Sequence, residues 1–459
     1  MIDCAEQVRR RVGNDFVVGV RLSWDEFLGP DGGITPDQSE EQIEVLAATG
    51  LFDYFSISAG GYHTIHLALP GMEDESGEGW LAPFSKRAKA IVGSRAKVMV
   101  VGKIRDLYTA EAILADEAAD MVAMARQLLT DAYTVQKTRD GREHEIIRCN
   151  RCNECAGRLW EHRELVCALN PVSGREAYWG AGTLDKVSRE QRKNILVVGG
   201  GPAGMKAAAV AARRGHTVRL LEQRGELGGH RRLYERLPGM GDWSIAIDNL
   251  KREIANAGVT VELDTSVSPE TLRTLPVDEI VIATGAVYTR DGLSLYRPER
   301  NAIPGADQNH VYDVATAARA ALADPTSLGS KVLIVDETGA HLSFALAEIL
   351  AAAGVEVEVL SPGCTPVSAS MKISTSFTSS RASSGWECGL PTSISSRPSA
   401  NARSTCTTSG PVQSMPKRGV RLTAWCCRSC ARRSTRCITP PPKCFRMSIA
   451  SATARRHAT

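Results

Sequence analysis

Seven residues, C-N-R-C-N-E-C, place Cys149, Cys152 and Cys155 on one short stretch, and Cys167 follows after eleven more. Thiolates at that density are soft metal ligands. Two residues between ligands let successive sulfurs face one inorganic cluster. Zinc more often draws on two separated CxxC knuckles, whereas three close cysteines and one distant one favour a 4Fe-4S cluster. Zinc and unligated buried cysteines are the competing readings. A second chemistry-bearing stretch lies just beyond, N-I-L-V-V-G-G-G-P-A-G-M (Asn194–Met205). An apolar strand running into a glycine turn and a helix brings backbone N–H groups up to a pyrophosphate. Gly199, Gly201 and Gly204 satisfy GxGxxG, Gly200 fills the second position, and Ala203 falls in the first turn of the helix. Glu222 ends the next strand, eighteen residues after Gly204, placed to accept ribose hydroxyls. A metal–sulfur site beside a dinucleotide site implies electron transfer.

These residues need elements to carry them. Ahead of the cysteines, apolar runs predict strands at 15–22, 52–58, 97–101 and 121–125, with helices over 39–48, 82–92 and 109–116 between them. Alternation of this kind is half of a (β/α)8 barrel, in which function sits on loops after the strands. After the cysteines, strands at 194–198 and 217–221 flank a helix over 202–214, and further strands are expected near 259–262 and 279–283. A third strand–helix–strand unit is expected over 331–335, 342–353 and 356–360.

At 459 residues the chain has room for two to four domains. Its net charge of +3 hides an asymmetry. From Pro366 onward there are 15 Lys/Arg and a single acid, Glu387, against 40 basic and 51 acidic residues before it. Seven of the thirteen cysteines also fall in that tail, where neither helical nor strand periodicity survives. A frameshifted, disordered tail is the expectation for 366–459. The competing reading, a zinc- or nucleic-acid-binding tail built on Cys426, Cys427, Cys430, Cys437 and Cys444, lacks paired knuckles and an apolar core. No run approaches the 18 apolar residues that span a bilayer, so a cytoplasmic protein with no membrane or nucleic-acid partner is expected.

C-N-R-C-N-E-C, Trp160, V-C-A-L-N-P and V-V-G-G-G-P-A-G-M in that order resemble the fused flavoproteins of the old yellow enzyme superfamily. That group includes dienoyl-CoA reductase and the trimethylamine, dimethylamine and histamine dehydrogenases. The resemblance covers about residues 1–365. It implies a partial (β/α)8 FMN-binding barrel over 1–140, a 4Fe-4S connector over 141–190, a Rossmann-like FAD- or ADP-binding domain over 191–290 and a degenerate second nucleotide-binding domain over 291–365. V-G-V-R-L-S is similar to the family's fifth strand and puts Arg21 against the flavin ring, where a cation stabilises the reduced form. V-V-G-K-I-R-D and M-A-R-Q-L-L-T-D are similar to its phosphate loops, which assigns FMN phosphate to Gly102, Lys103, Ala125 and Arg126. S-A-G-G-Y-H-T-I-H resembles the loop carrying an active-site histidine and maps it to His63, with Asp53, Tyr62 and His66 as lesser candidates. E-L-G-G-H and V-I-A-T-G-A resemble adenosine-contacting segments and bring in Gly229.

Two departures matter. The chain begins in the helix before the family's fifth strand, so the resemblance implies an inactive fragment, with a non-catalytic nucleotide-binding module as one alternative. And where an NAD(P)H-using relative repeats GxGxxG, the third unit reads L-I-V-D-E-T-G-A-H-L-S, leaving only Gly339. Asp336 and Glu337 there oppose a pyrophosphate. An amine dehydrogenase-like enzyme passing electrons from FMN through 4Fe-4S to an electron-transferring flavoprotein is therefore expected, with an NADPH-dependent enoyl thioester reductase as the alternative. A homodimer is allowed for.

Overall fold

The computed structural model describes residues 1–360, except 30, 31, 73, 75, 161, 181, 295–297 and 338–340, together with the backbone of 421–423. Gly339 and nearly all of the tail after Pro366 lie outside the described residues. Among the described residues the chain divides into two compact units, one within 1–229 and 242–284, the other within 230–241, 285–360 and 421–423.

The first unit begins with α1 (Ile2–Val12), β1 (Gly19–Ser23), α2 (Pro36–Ala48), β2 (Tyr54–Ser58), α3 (Ile65–Ala68), α4 (Ala82–Val92), β3 (Lys97–Val101), α5 (Leu107–Ala115), β4 (Met121–Ala123) and α6 (Ala125–Thr130). Its four strands are parallel, and each pairs with its sequence neighbour, β1-β2-β3-β4. That order is the barrel progression rather than a doubly wound one. The period of two sorts the side chains. Phe55, Ile57 and Val98 pack with Ile43 of α2 and Val92 of α4 in one core, and Val100 joins Ile113 of α5 in another. The opposite face carries a register row of Arg21, Ser56, Met99 and Met121. Thr35 caps α2 through a reciprocal pair with Gln38, and Asp106 caps α5 through the Thr109 N–H.

β1 starts four residues later than its apolar run. Phe16 and Val17 are exposed, and the Val18 N–H is taken by the Asp53 carboxylate at 2.6 Å instead of a strand partner. Side-chain capture of that donor ends the ladder.

Three short helices, α7 (Thr134–Arg139), α8 (Glu154–Trp160) and α9 (Glu176–Trp179), punctuate the cysteine-bearing connector. Beyond it come β5 (Asn194–Val198), α10 (Pro202–Arg213), β6 (Thr217–Leu221), α11 (Arg231–Tyr234), α12 (Trp243–Asn256), β7 (Thr260–Glu262), α13 (Pro269–Thr274) and β8 (Glu279–Ile282). The sheet order β7-β6-β5-β8, all parallel, reverses direction after β5. Ligands of such sheets bind at the carboxyl end of the strand where the order reverses.

The second unit holds α11, α14 (Val314–Ala323), β9 (Lys331–Val335), α15 (His341–Ala352) and β10 (Glu356–Leu360). Arg421–Thr423 forms β11, parallel to β9. Those three residues pair with β9 on the side away from β10.

Candidate functional site

The glycine turn follows β5 at the point of reversal. Gly199 has φ 109°, and a Cβ there would stand 2.3 Å from the Ala283 carbonyl oxygen just past β8. Gly204 is tighter still, since its Cβ would meet the Gly199 carbonyl oxygen at 1.9 Å. Gly201, the N-cap of α10, has nothing within 4 Å of a Cβ. The three glycines thus divide the work: a turn only glycine adopts, a helix packed hard on its strand, and an open cradle at a helix N-terminus. Pro202 opens α10 at the position where a missing N–H costs nothing, and Ala203 follows it. Gly229 comes up beside the cradle, with its Cβ position 3.4 Å from the Gly201 Cα. Glu222 is buried, and its carboxylate accepts from the Gly200 N–H at 2.6 Å and the Arg224 N–H at 2.9 Å. It braces the turn in this arrangement.

On the barrel side, the assigned phosphate residues cluster after β3 and β4. Gly102 and Lys103 both take positive φ, 148° and 51°. The Lys103 side chain is buried and its ammonium pairs with Asp74 at 2.5 Å, while the Ser76 carbonyl also accepts from it. Burial lowers the Lys103 pKa against the pull of Asp74. Arg126, next to Ala125 at the start of α6, donates to the Pro70 carbonyl and to Asn153 Oδ1, each at 2.6 Å. Arg21 makes no hydrogen bond or ion pair among the described residues, and burial of part of its guanidinium lowers its pKa. His63 and Tyr62 are exposed. His66 is the more enclosed histidine, its pKa lowered by burial with Asp74 opposing. Asp53 sits before β2, at the strand end opposite the loops, paired with Arg9 at 2.7 Å. Its place is structural.

The cysteine loop is held by backbone and by buried polar groups. Cys149 is buried, and its Sγ accepts from the Arg151 N–H at 3.4 Å. Cys167 Sγ accepts from the Leu169 N–H at 3.4 Å and lies 3.4 Å from the Thr130 hydroxyl. Burial raises all three of Cys152, Cys155 and Cys167, Cys155 to about 11, and the neighbouring thiols add to each. Arg126 pulls Cys155 the other way. A group of thiols that resist ionisation for want of a counter-charge is suited to a cation that ionises them. Asn150 is fully buried between the first two cysteines, and its Nδ2 has no partner among the described residues. Among those residues no three His, Cys, Asp or Glu side chains converge on a point where a single metal ion would sit. Cys149, Cys152, Cys155 and Cys167 are soft donors brought near one another, a set that would suit a metal–sulfur cluster.

Sequence reading missed the residues that secure this loop: Asp74, Arg105, Arg151 and Asn153, with Asp242, Asn249 and Arg252 at or on α12. Arg151 and Asn153 have φ 55° and 52°, and both are buried. Only Trp243, Ala246, Ile247, Leu250 and Ile254, buried at helical spacing, signalled α12 itself.

Residues 1–145 match the NADH:flavin oxidoreductase / NADH oxidase family, and residues 193–374 match the pyridine nucleotide-disulphide oxidoreductase family. The chain is 34% identical over 288 residues to an NADH oxidase of Thermoanaerobacter brockii, covering 62% of this chain and 42% of that protein. It is 29% identical over 371 residues to an N,N-dimethylglycine/sarcosine dehydrogenase of Chromohalobacter salexigens, covering 80% and 51%. A solved 2-naphthoyl-CoA reductase superposes with a TM-score of 0.63 at 27% identity, over 78% of this chain and 51% of its own. The chain spans about half the length of the curated relatives it matches. With a flavin-oxidoreductase region leading and a pyridine-nucleotide-type region following on one polypeptide, the chain belongs to the fused flavoproteins of the old yellow enzyme superfamily, whose members are FMN-dependent oxidoreductases.

Proposed function

We propose that the chain serves an FMN- and 4Fe-4S-dependent oxidation of an N-methylated amine, with FAD or ADP in the β5 site and an electron-transferring flavoprotein as the acceptor. FMN when bound supplies the two-electron acceptor, and a cluster on Cys149, Cys152, Cys155 and Cys167 supplies one-electron relay. The chain's own residues do the holding. Arg21, a cation without a hydrogen-bond or ion-pair partner among the described residues, on the face opposite the helices, is available to a flavin ring. Gly102 and Lys103 supply positive-φ backbone after β3, and the Arg126 guanidinium, held by neutral acceptors, supplies positive charge after β4, where a phosphate would be held by N–H groups and guanidinium. The open cradle at Gly201 is available to a pyrophosphate.

The observation that carries the amine reading is the end of β9. Asp336 is fully buried and Glu337 nearly so; the Ser294 hydroxyl donates to Glu337. The Asp336 N–H, the kind of donor a nucleotide phosphate needs, bonds the Leu360 carbonyl at 2.8 Å. Two carboxylates at the strand end, where a nicotinamide cofactor's phosphates would lie, oppose a pyrophosphate there. The likeness to a 2-naphthoyl-CoA reductase favours the alternative, an NADPH-dependent reduction of an enoyl thioester.

Calorimetric titration of the ADP-saturated chain with NADPH or NADH separates the two. No binding in the micromolar range is expected. Micromolar NADPH binding, or rapid flavin reduction by NADPH without amine, overturns the amine reading.

A further inference from the structure

The connector between the barrel strands and the nucleotide sheet carries more buried charge than its ligand role needs, and that charge converges on one residue. Asp242 is the residue before α12 and makes no cap to its own helix. Its Oδ2 instead accepts from Arg105 Nη1 at 2.9 Å, and from Arg151 Nη2 and Nε at 2.9 and 3.1 Å. Arg105 lies on the loop that follows β3, two residues past Lys103, and its Nη1 also reaches the Cys149 carbonyl at 3.3 Å. A second carboxylate, Glu78, holds Arg105 Nε at 2.6 Å. Arg151 lies between Cys149 and Cys152, buried and in left-handed backbone, with its remaining donors on the Asp74 and Met72 carbonyls. The same helix goes on gripping the connector. Asn249 bonds both the N–H and the carbonyl of Arg148 at 3.3 and 3.0 Å, and Arg252 donates to the Ile146 carbonyl at 3.1 Å.

We infer that Asp242 is a positioning residue: its carboxylate ties the cysteine loop, through Arg151, to the loop after β3, through Arg105, and fixes both the geometry and the local charge of the cluster site. This rests on the reading of the quartet as a cluster site. The physical case is one of counting charges. Arg105 has Glu78 as well as Asp242, whereas Asp242 is the one carboxylate paired with Arg151 among the described residues, so removing it strands the buried Arg151 cation. The loop is also strained at Arg151 and Asn153, and strained backbone persists only where surrounding contacts over-determine it. Asp242 supplies two of those contacts, both to Arg151. An anion this close to the ligands disfavours adding an electron to the cluster, so it holds the reduction potential down.

The test uses the full chain in three forms: parent, Asp242→Asn and Asp248→Asn. Asp248 is an exposed acid on the same helix and controls for an equal change of charge. Amide exchange in the iron-free chain reads positioning without any cluster: residues 149–155 should exchange at least tenfold faster in D242N and unchanged in D248N. After anaerobic reconstitution, D242N should release iron to a chelator several-fold faster, and its midpoint should move to a more positive potential. Exchange equal to that of the parent, or an unmoved midpoint in a folded, iron-loaded D242N, overturns the assignment. If D242N gives no soluble chain, Asp242→Glu, which keeps the charge but not the reach, should show the faster iron release at the parent's potential; parent-like release would refute positioning. A parent chain that takes up no iron and sulfide while D242N still loosens 149–155 sinks the cluster reading and leaves the positioning role standing.

Discussion

Gly201 and Gly204 offer a sharp separation between holding a nucleotide and holding the fold. Both become Ala with the addition of one carbon. At Gly204 that carbon would sit 1.9 Å from the Gly199 carbonyl oxygen and 3.2 Å from the Ala283 Cβ. The first obstacle is backbone, which cannot swing aside as a side chain would, so helix α10 must lift from β5. Overpacking of this severity costs about 3 kcal/mol or more. At Gly201 the added carbon meets nothing within 4 Å, and the φ of −74° suits any residue. Its only structural cost is the poorer N-cap that Ala makes, about 0.5–1 kcal/mol. A pyrophosphate lying in the cradle would collide with that methyl, and a tenfold weaker affinity corresponds to about 1.4 kcal/mol. Thermal melting and calorimetric ADP titration on both variants give the readout. G204A should melt well below the parent, and G201A close to it with ADP binding weakened at least tenfold. Parent-like ADP affinity in G201A would refute the placement of the pyrophosphate over Gly201, and a parent-like melt of G204A would refute the packing argument.

Anaerobic reconstitution should load about four irons per chain with acid-labile sulfide, and Cys152→Ala should abolish that uptake; stoichiometric zinc without sulfide would contradict the cluster. Glu253 is buried on α12 and holds Lys206 at 2.6 Å, with Arg213 alongside. Glu253→Gln should therefore lower unfolding stability by about 3 kcal/mol, since breaking a buried pair strands its partners. An unchanged urea midpoint would show the network to be neutral. Burial lowers the His66 pKa, with Asp74 opposing, so folding prefers the neutral ring. The stability it contributes is full above the unfolded value of about 6.5 and is lost as pH falls through the lower folded value. His66→Gln should flatten that acid limb in a series of melts, and parallel curves for parent and variant would remove His66 from the account.

Much of the architecture was legible because it rests on local signals. Strands β3, β5, β6, β9 and β10 and helix α4 run over the residues their apolar runs predict. The order of motifs, glycine turn after strand and before helix, needs no distant information. What the sequence hides is whatever depends on a partner far along the chain. Asp53 is an unremarkable acid in sequence; its meaning comes from Arg9 and Val18, more than thirty residues away. Glu222 reads as a ribose acceptor, yet its carboxylate also closes on the Gly200 N–H at 2.6 Å. Lys103 reads as a phosphate ligand from its loop, while Asp74, on a stretch with no periodic signal, is what it touches. His63 and His66 differ by one helical turn's worth of position, and only burial distinguishes them.

Helix α12 shows why the cysteine loop and the glycine turn are mechanically one problem. Its apolar stripe of Ala246, Ile247, Leu250 and Ile254 is buried, with Leu250 and Ile254 in one core with Met205, Ala208 and Ala209 of α10. α10 in turn begins at Gly201, so the cradle and the helix that braces it are set by the same packing. The other side of α12 carries Asn249 and Arg252 onto residues 146–148, and Asp242 at its head onto Arg151. Lys206 of α10 and Glu253 of α12 close the arrangement with a buried ion pair. A displacement of α12 would therefore move the cysteine loop and the nucleotide turn together, because interiors packed at crystal-like density transmit shifts rather than absorb them. Substitutions in the apolar stripe should accordingly loosen iron and ADP in parallel, whereas changes at Asp242 should act on iron alone. Two cofactors that respond jointly to one class of change and separately to the other would trace the coupling to this helix rather than to direct contact between the ligands.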